Sequence, residues 1–270
     1  MEKTKKGRTL CVGDIHGNYK GLMQALERSN FDYEKDTLIS VGDVVDGHSQ
    51  SYEVVEELLK IKNLIAIKGN HDDWFNEWIQ TGESPARWMQ GQKATGESYL
   101  RQQHPDDFYL YDYSTGHARV RMNNTYVPES HQIFFKHQIW YYLDNQNRLF
   151  VHGGFNRHEK LEEQDPFIFW WDRDLWGQAL SWEAMSITDL PGHAPGYKPK
   201  FKMVGDFSEV FIGHTQVQFW GESTPMKAAN IWNLDTGGGW HGYITIMDID
   251  TKEFWQSDDA KSLYPEFKGR

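Results

Sequence analysis

Short apolar runs, each closed by a glycine next to an acidic, amide or imidazole side chain, punctuate the first third of the chain. Thr9–Val12 ends at Gly13-Asp14, Thr37–Val41 at Gly42-Asp43, and Leu64–Ile67 at Gly69-Asn70. The first of these reads as a buried strand, and the other two as further strands. Between them, Tyr19–Arg28 carries Leu22, Ala25 and Leu26 at helical spacing. Tyr52–Ile61 places Val54, Val55, Leu58, Leu59 and Ile61 toward one side of a second helix. The order β-α-β-α-β predicts parallel strands joined by right-handed crossovers.

The pattern breaks from about residue 74 to residue 137, a stretch rich in Trp, Tyr, Arg, Gln and Gly. It is expected to be an insertion forming a cap over one edge of the site. Arg87–Gln103 is its helical candidate, and its aromatics are expected to pack as core. Strand patterns then return. Ile139–Leu143, the turn Asp144-Asn145-Gln146-Asn147 and Arg148–Val151 read as a hairpin. Glu209–Ile212, Asn230–Leu234 and Tyr243–Asp248 read as later strands. Leu190–Lys200, with three prolines, reads as a loop, and Ser257–Arg270 as a polar tail. The fold class is α/β, and a chain of 270 residues holds one large domain or two small ones.

Composition removes whole classes of function. The formal charge of −11 leaves no basic surplus to neutralise phosphates, so a general nucleic-acid binder is excluded. Apolar residues at 39% and charged residues at 25% exclude a disordered chain. Cys11 is the single cysteine, so neither an internal disulfide nor a thiolate metal cluster can form. No apolar stretch approaches the ~18 residues of a membrane span. The basic segment Met1–Arg8 runs into an apolar stretch too brief for a signal peptide, and a cytoplasmic location is expected.

Five motifs then carry the chemistry. They are Gly13-Asp14-Ile15-His16-Gly17, Gly42-Asp43-Val44-Val45-Asp46-Gly47, Gly69-Asn70-His71-Asp72, Val151-His152-Gly153-Gly154 and Gly213-His214-Thr215. Each follows an apolar run, and ligands of α/β sheets gather at the carboxyl ends of strands. Any one Gly-Asp pair is better read as a plain turn. Five of them, each presenting a carboxylate, amide or imidazole, are hard to obtain from turns alone. The donor set is Asp14, His16, Asp43, Asn70, His152 and His214. Oxygen and imidazole donors suit manganese, iron, zinc or nickel. Six side chains exceed the needs of one structural ion and suffice for two if a carboxylate is shared.

In that order the motifs resemble the calcineurin-like metallophosphoesterases, and within them the bacterial serine/threonine branch of the phosphoprotein phosphatases. The resemblance implies a single domain over 1–270 with a two-sheet sandwich flanked by helices. It implies that Asp14, His16 and Asp43 hold one metal, and that Asp43, Asn70, His152 and His214 hold a second, with Asp43 as bridge. It implies that His71 is the general acid and that Asp46 orients it. The family arginine after Val-Asp is replaced here by Gly47, followed by His48, which reads as an exposed loop residue. A phosphate-gripping arginine is expected at Arg173, within Trp170-Trp171-Asp172-Arg173-Asp174, with Arg157 as a second candidate. Asp72 reads as a supporting residue. Among the histidines outside the motifs, His241 stands in a glycine run that either borders the cleft or makes a plain hairpin turn.

The implied activity is hydrolysis of phosphomonoesters, foremost those of a phosphoprotein. The resemblance implies two divalent ions, manganese foremost, roughly 3.5–4 Å apart, which would share a hydroxide that attacks phosphorus in line. His71 would protonate the leaving oxygen. A dinucleoside-polyphosphate or nucleotide hydrolase, or a phosphodiesterase, on the same metals is the rival reading. A non-catalytic scaffold that binds a partner through the aromatic segment is a third.

Overall fold

A computed structural model describes residues 7–88, 90–103, 126–185, 197 and 199–266. Its architecture is two five-stranded mixed sheets packed face to face, with helices on the outer faces. The first sheet has the order β10 (Phe254–Gln256), β9 (Thr245–Asp248), β1 (Thr9–Val12), β2 (Thr37–Ser40), β3 (Asn63–Ala66). β1, β2 and β3 run parallel, while β9 is antiparallel to β1 and β10 to β9. The second sheet has the order β4 (Tyr141–Leu143), β5 (Arg148–Val151), β6 (Glu209–Ile212), β8 (Ile231–Asn233), β7 (Met226–Ala228). Its central strands β5, β6 and β8 are parallel, and both edge strands are antiparallel. Ile67, just beyond β3, bridges to Ile139, just before β4, and so joins the edges of the two sheets.

The continuous apolar runs arise because each central strand is buried on both faces. One face of β1 sends Cys11 between the sheets, where it meets Ile39, Val41, Phe150, Phe211, Leu234 and Met247. Burial pushes the Cys11 thiol far up, so it serves packing rather than chemistry. The other face sends Leu10 and Val12 against α1 (Tyr19–Arg28) and α2 (Ser51–Leu58). The Asn18 side chain caps α1 by accepting from the Gly21 amide, and Leu22, Ala25 and Leu26 are its buried side. The second sheet's outer face is covered by α6 (Ile168–Trp171) and α7 (Asp174–Ala184) through Phe169, Trp170, Leu175 and Trp176.

Within 74–137, residues 104–125 lie outside the described set. The rest builds α3 (Asn70–Thr81), α4 (Gln92–Gln103) and α5 (Glu129–His137). Trp74, Phe75, Trp78, Trp88, Tyr99 and Phe135 join the core beside α2. The buried side of α4 includes the polar Thr95 and Ser98, which is why its apolar periodicity is faint. The expected loop at Leu190–Lys200 lies largely outside the described residues. Two short edge strands, β7 and β10, carry no periodicity that a sequence reading would register. The polar tail is corrected: Asp259 caps α8 (Ala260–Leu263), and Tyr264 is buried, with its hydroxyl donating to Gln50 Oε1 at 2.7 Å.

Candidate active site

Loops leaving the carboxyl ends of β1, β2, β3, β5 and β6 deliver Asp14, His16, Asp43, Asn70, His152 and His214 to one place, all buried. Their donor atoms form two groups, Asp14 with His16 and Asp43, and Asp43 with His152 and His214. Within each group the atoms lie within 4.8 Å of one another. Asp43 belongs to both. Its Oδ2 stands 3.5 Å from His16 Nε2, 3.3 Å from His152 Nε2 and 4.0 Å from His71 Nε2. Asn70 Oδ1 lies 3.1 Å from His152 Nε2, on the side of the second group.

The backbone is shaped to bring these groups together. His16, Asp43, Asp46 and His214 all adopt positive φ, at 50°, 51°, 75° and 66°. For residues with a Cβ this costs about 1–2 kcal/mol each, and such strain clusters at functional sites. Two glycines are required by closeness alone. A Cβ on Gly69 would stand 2.1 Å from Asp43 Oδ1, and one on Gly213 would stand 2.1 Å from Asp14 Oδ1. Only bare backbone lets the strand ends approach the carboxylates this closely.

Hydrogen bonds set which ring nitrogens face inward. His16 Nδ1 donates to Val45 O at 2.9 Å, and His152 Nδ1 donates to Val41 O at 2.8 Å. Carbonyls only accept, so Nδ1 carries a proton and each ring turns its Nε2 to the centre, the nitrogen through which a bound cation would be held. His214 Nε2 is buried without a hydrogen-bond partner. Burial, together with neighbouring His152 and Arg173, holds the His214 imidazole well below its usual range, which keeps it neutral. Burial raises Asp14, and Asp235 and Asp43 beside it raise it further. Burial would raise Asp43 too, but the attraction of His152, His71 and His16 outweighs it and holds that carboxyl low. Burial opposes charge on His152, yet Asp43 and Asp14 lift it to about 9. Two carboxylates, Asp14 and Asp43, buried among inward-facing imidazoles, with His214 Nε2 left without a hydrogen-bond partner, are a donor set that divalent cations fit.

His71 lies on the open side of this centre. Its Nδ1 is hydrogen-bonded to Asp46 Oδ2, its backbone amide donates to Asp43 Oδ1 at 2.9 Å, and Trp74 packs edge-on against its ring. Asp46 is fully buried and held from α4 and the segment before it. Trp88 Nε1 donates to Oδ2 at 2.5 Å, Thr95 Oγ1 donates to Oδ1 at 2.7 Å, and the Asp46 amide donates to Thr95 Oγ1 at 2.9 Å. Asp72 accepts from the Val44 and Gly69 amides at 2.8 and 3.2 Å and from Gln138 Nε2 at 2.9 Å. It thereby ties the loops after β2 and β3 together. Burial, with Asp43 nearby, pushes its carboxyl up to about 6.

A cavity of about 470 Å³ opens over the donors, lined also by His71, Arg173, Asp235, Phe219 and Trp240. Arg173 Nη1 donates to His214 O at 2.9 Å and to Thr215 Oγ1 at 2.7 Å, which fixes the guanidinium at the cavity wall. Arg157 is not among the lining residues. It donates to Gln178 Oε1 and Lys202 O on a neighbouring cavity, beneath which Phe201 packs. His48 is corrected from an exposed loop residue to a buried one. Its Nε2 donates to Gly238 O at 3.0 Å. Gly47, at φ 72°, packs against the backbone of Gly239, so the loop around Trp240 occupies the flank of that position. His241 is exposed and borders a second cavity rather than this one. Trp88, Thr95, Asp235, Phe219 and Trp240 were not foreseen. Asp235 had the clearest signal, an acidic residue directly after an apolar run and before a glycine-rich loop.

Residues 7–218 match the calcineurin-like phosphoesterase family. The chain belongs to that family. It is therefore a hydrolase of phosphoester bonds, from a family that works with a dinuclear metal centre. The symmetrical bis(5'-nucleosyl)-tetraphosphatase of Pseudomonas fluorescens (strain SBW25) is 26% identical over 276 aligned positions, 91% of this chain and 92% of that protein. Serine/threonine-protein phosphatase 2 of Escherichia coli (strain K12) is 40% identical, but over 72 residues, 27% of this chain and 33% of that protein. Among solved structures, a protein serine/threonine phosphatase of Saccharomyces cerevisiae superposes with a TM-score of 0.56 at 15% identity, covering 95% of this chain and 81% of that one. This last likeness is one of fold. Among the described residues no helix is long and apolar enough to cross a membrane.

Proposed function

We propose that this phosphoesterase works with two divalent cations, manganese foremost, and that its substrate is a nucleotide of the dinucleoside-polyphosphate type. The observation that carries the chemistry is the membership of Asp43 in both donor groups. Asp14, His16 and Asp43 hold one cation, and Asp43, Asn70, His152 and His214 hold the other. When bound, the pair supplies an activated water and neutralises charge on the phosphoryl oxygens. Arg173, anchored through one nitrogen by His214 O and Thr215 Oγ1, turns the rest of its fork to the phosphoryl group. His71 gives a proton to the leaving oxygen, and Asp46 keeps its ring in the tautomer and orientation that this requires. Trp88 and Thr95 position Asp46 in turn.

The substrate reading departs from a phosphoprotein for one reason. The similarity to a bis(5'-nucleosyl)-tetraphosphatase runs through 91% of the chain, whereas the similarity to a protein phosphatase covers 27%. A short, strong match is what shared metal-binding motifs alone produce. The protein-phosphatase reading keeps its support in the order of those motifs, and a cytoplasmic location suits both. The test is a panel with manganese: diadenosine tetraphosphate, a phosphoserine peptide and bis(p-nitrophenyl) phosphate, alongside Asp43→Asn. Preferred turnover of the dinucleotide, lost in Asp43→Asn, is the expected result. Preference for the peptide overturns the substrate reading, and full activity in Asp43→Asn overturns the shared-ligand chemistry.

A further inference from the structure

A second cavity of about 490 Å³ adjoins the one over the donors. Gln216, Phe219 and Trp240 line both, and Ser223, His241 and Tyr243 line only the second. Phe219 is 73% exposed at this boundary, the most exposed large hydrophobic residue among those described. The backbone that carries it is held firmly. Phe219 stands on a 3-10 turn, Val217–Trp220, whose Val217 is fully buried and whose amide donates to Asp235 O at 2.9 Å. The turn is closed by Gly221 in the left-handed region. Trp240 is held equally well on the facing loop. Gly238 O accepts from Asn18 Nδ2 and from His48 Nε2, both at 3.0 Å. The Trp240 and Gly242 amides both donate to Gly237 O at 2.9 Å.

Two aromatic side chains on braced loops thus stand where the reaction cavity passes into a pocket with polar groups on its far wall. An exposed phenylalanine on a braced turn offers an apolar face next to the place where a phosphate reacts. A flat ring carried by the substrate would cover it, and aromatic faces accept any nucleobase because each has a π-face. His48 and Gly47 contribute to this. A glycine where the family carries arginine allows the Trp240 loop to lie close. His48 then tethers that loop.

We propose that the pocket bounded by Phe219, Trp240 and Tyr243 is a nucleobase subsite, which holds the base of the nucleotide whose phosphoryl group lies over Asp43. This rests on the nucleotide reading above and names where that substrate's specificity resides. Phe219 is a specificity residue and takes no part in the bond-breaking step.

The test uses the full chain saturated with manganese, and two independent readouts. Steady-state kinetics compares diadenosine tetraphosphate with inorganic tripolyphosphate, which has no ring. Saturation-transfer NMR follows adenosine, which has no phosphate. In Phe219→Ala, the ratio of kcat/KM between the dinucleotide and tripolyphosphate falls roughly tenfold, through KM, and adenosine contact is lost. Phe219→Tyr retains both. An unchanged ratio with undiminished adenosine contact overturns the subsite. Failure of the wild type to cleave the dinucleotide, with adenosine contact still lost in Phe219→Ala, sinks the substrate reading and leaves the base pocket standing. A phosphotyrosine peptide responding to Phe219→Ala in place of adenosine shows that the ring is a phenol and overturns the proposal.

Discussion

Gly213→Ala is the sharpest test of the idea that bare backbone brings the ligands together. Gly213 is not in the left-handed region, so alanine's backbone is allowed there. The new methyl meets Asp14 Oδ1 at 2.1 Å, where real Cβ contacts essentially never fall below 3.0 Å. The side-chain carboxylate is what must yield, by about 1 Å. The same carboxylate accepts from the His214 amide at 3.1 and 3.2 Å, so this tie lengthens as well. Misplacing a catalytic group by about 1 Å costs on the order of 100-fold in rate, about 2.7 kcal/mol of transition-state stabilisation. The strain of relocating one terminal carboxylate is expected to cost the fold only about 1 kcal/mol. The assay is kcat/KM during a manganese titration, with metal content and urea unfolding measured on the same preparation. The expected outcome is a roughly 100-fold loss of activity, weakened affinity for one of two manganese ions and a nearly unchanged unfolding midpoint. A variant within threefold of wild type at equal metal affinity would refute the close-approach argument.

Three further outcomes are expected. His71→Asn slows substrates with alkoxide leaving groups by roughly 100-fold or more and p-nitrophenyl phosphate far less, because nitrophenolate leaves without a proton; equal losses on both would remove His71 from the acid role. Thr95→Val keeps the shape but leaves the buried Asp46 amide and Oδ1 without Thr95 Oγ1. It should lower stability by about 1–3 kcal/mol and reduce kcat more than it changes KM, and a wild-type kcat would show that Asp46 needs no such support. His131, buried between Tyr99 and Glu56, is held below its usual 6.5 by burial. The unfolded chain therefore takes the proton more readily, so His131 contributes stability that is present above about 6.5 and lost as pH falls through its lowered folded value. Urea midpoints should drop less between pH 7.5 and 5.5 in His131→Gln than in wild type, and identical slopes would contradict this assignment.

The legible part of the site was the part whose signal is local. Asp14, Asp43, Asn70, His152 and His214 each sit beside a glycine at the end of an apolar run, and backbone and side-chain chemistry are coded within a few residues. The same is true of the central strands, whose burial on both faces leaves an uninterrupted apolar word. Thr95 and Trp88 carried no such mark. They reach Asp46 across 49 and 42 positions, and only because α4 and the segment before it fold back on α2. Arg173 stood ahead of Arg157 only through the likeness of its segment, Trp170-Trp171-Asp172-Arg173-Asp174, to the family pattern. The structure separates them by what each guanidinium touches, Gln178 and Lys202 for one, His214 and Thr215 for the other.

Taken alone, the sequence determined the α/β order, the central strands and the chemical kind of the donors, because periodicity and glycine-flanked polar residues are properties of neighbouring positions. Tertiary structure alone decided that Asp46 is gripped by Trp88 and Thr95. It alone turned His48 inward to hold Gly238 and left Phe219 bare beside the reaction cavity. Those are distances between loops from different strands, and chain order does not encode them until the two sheets have packed.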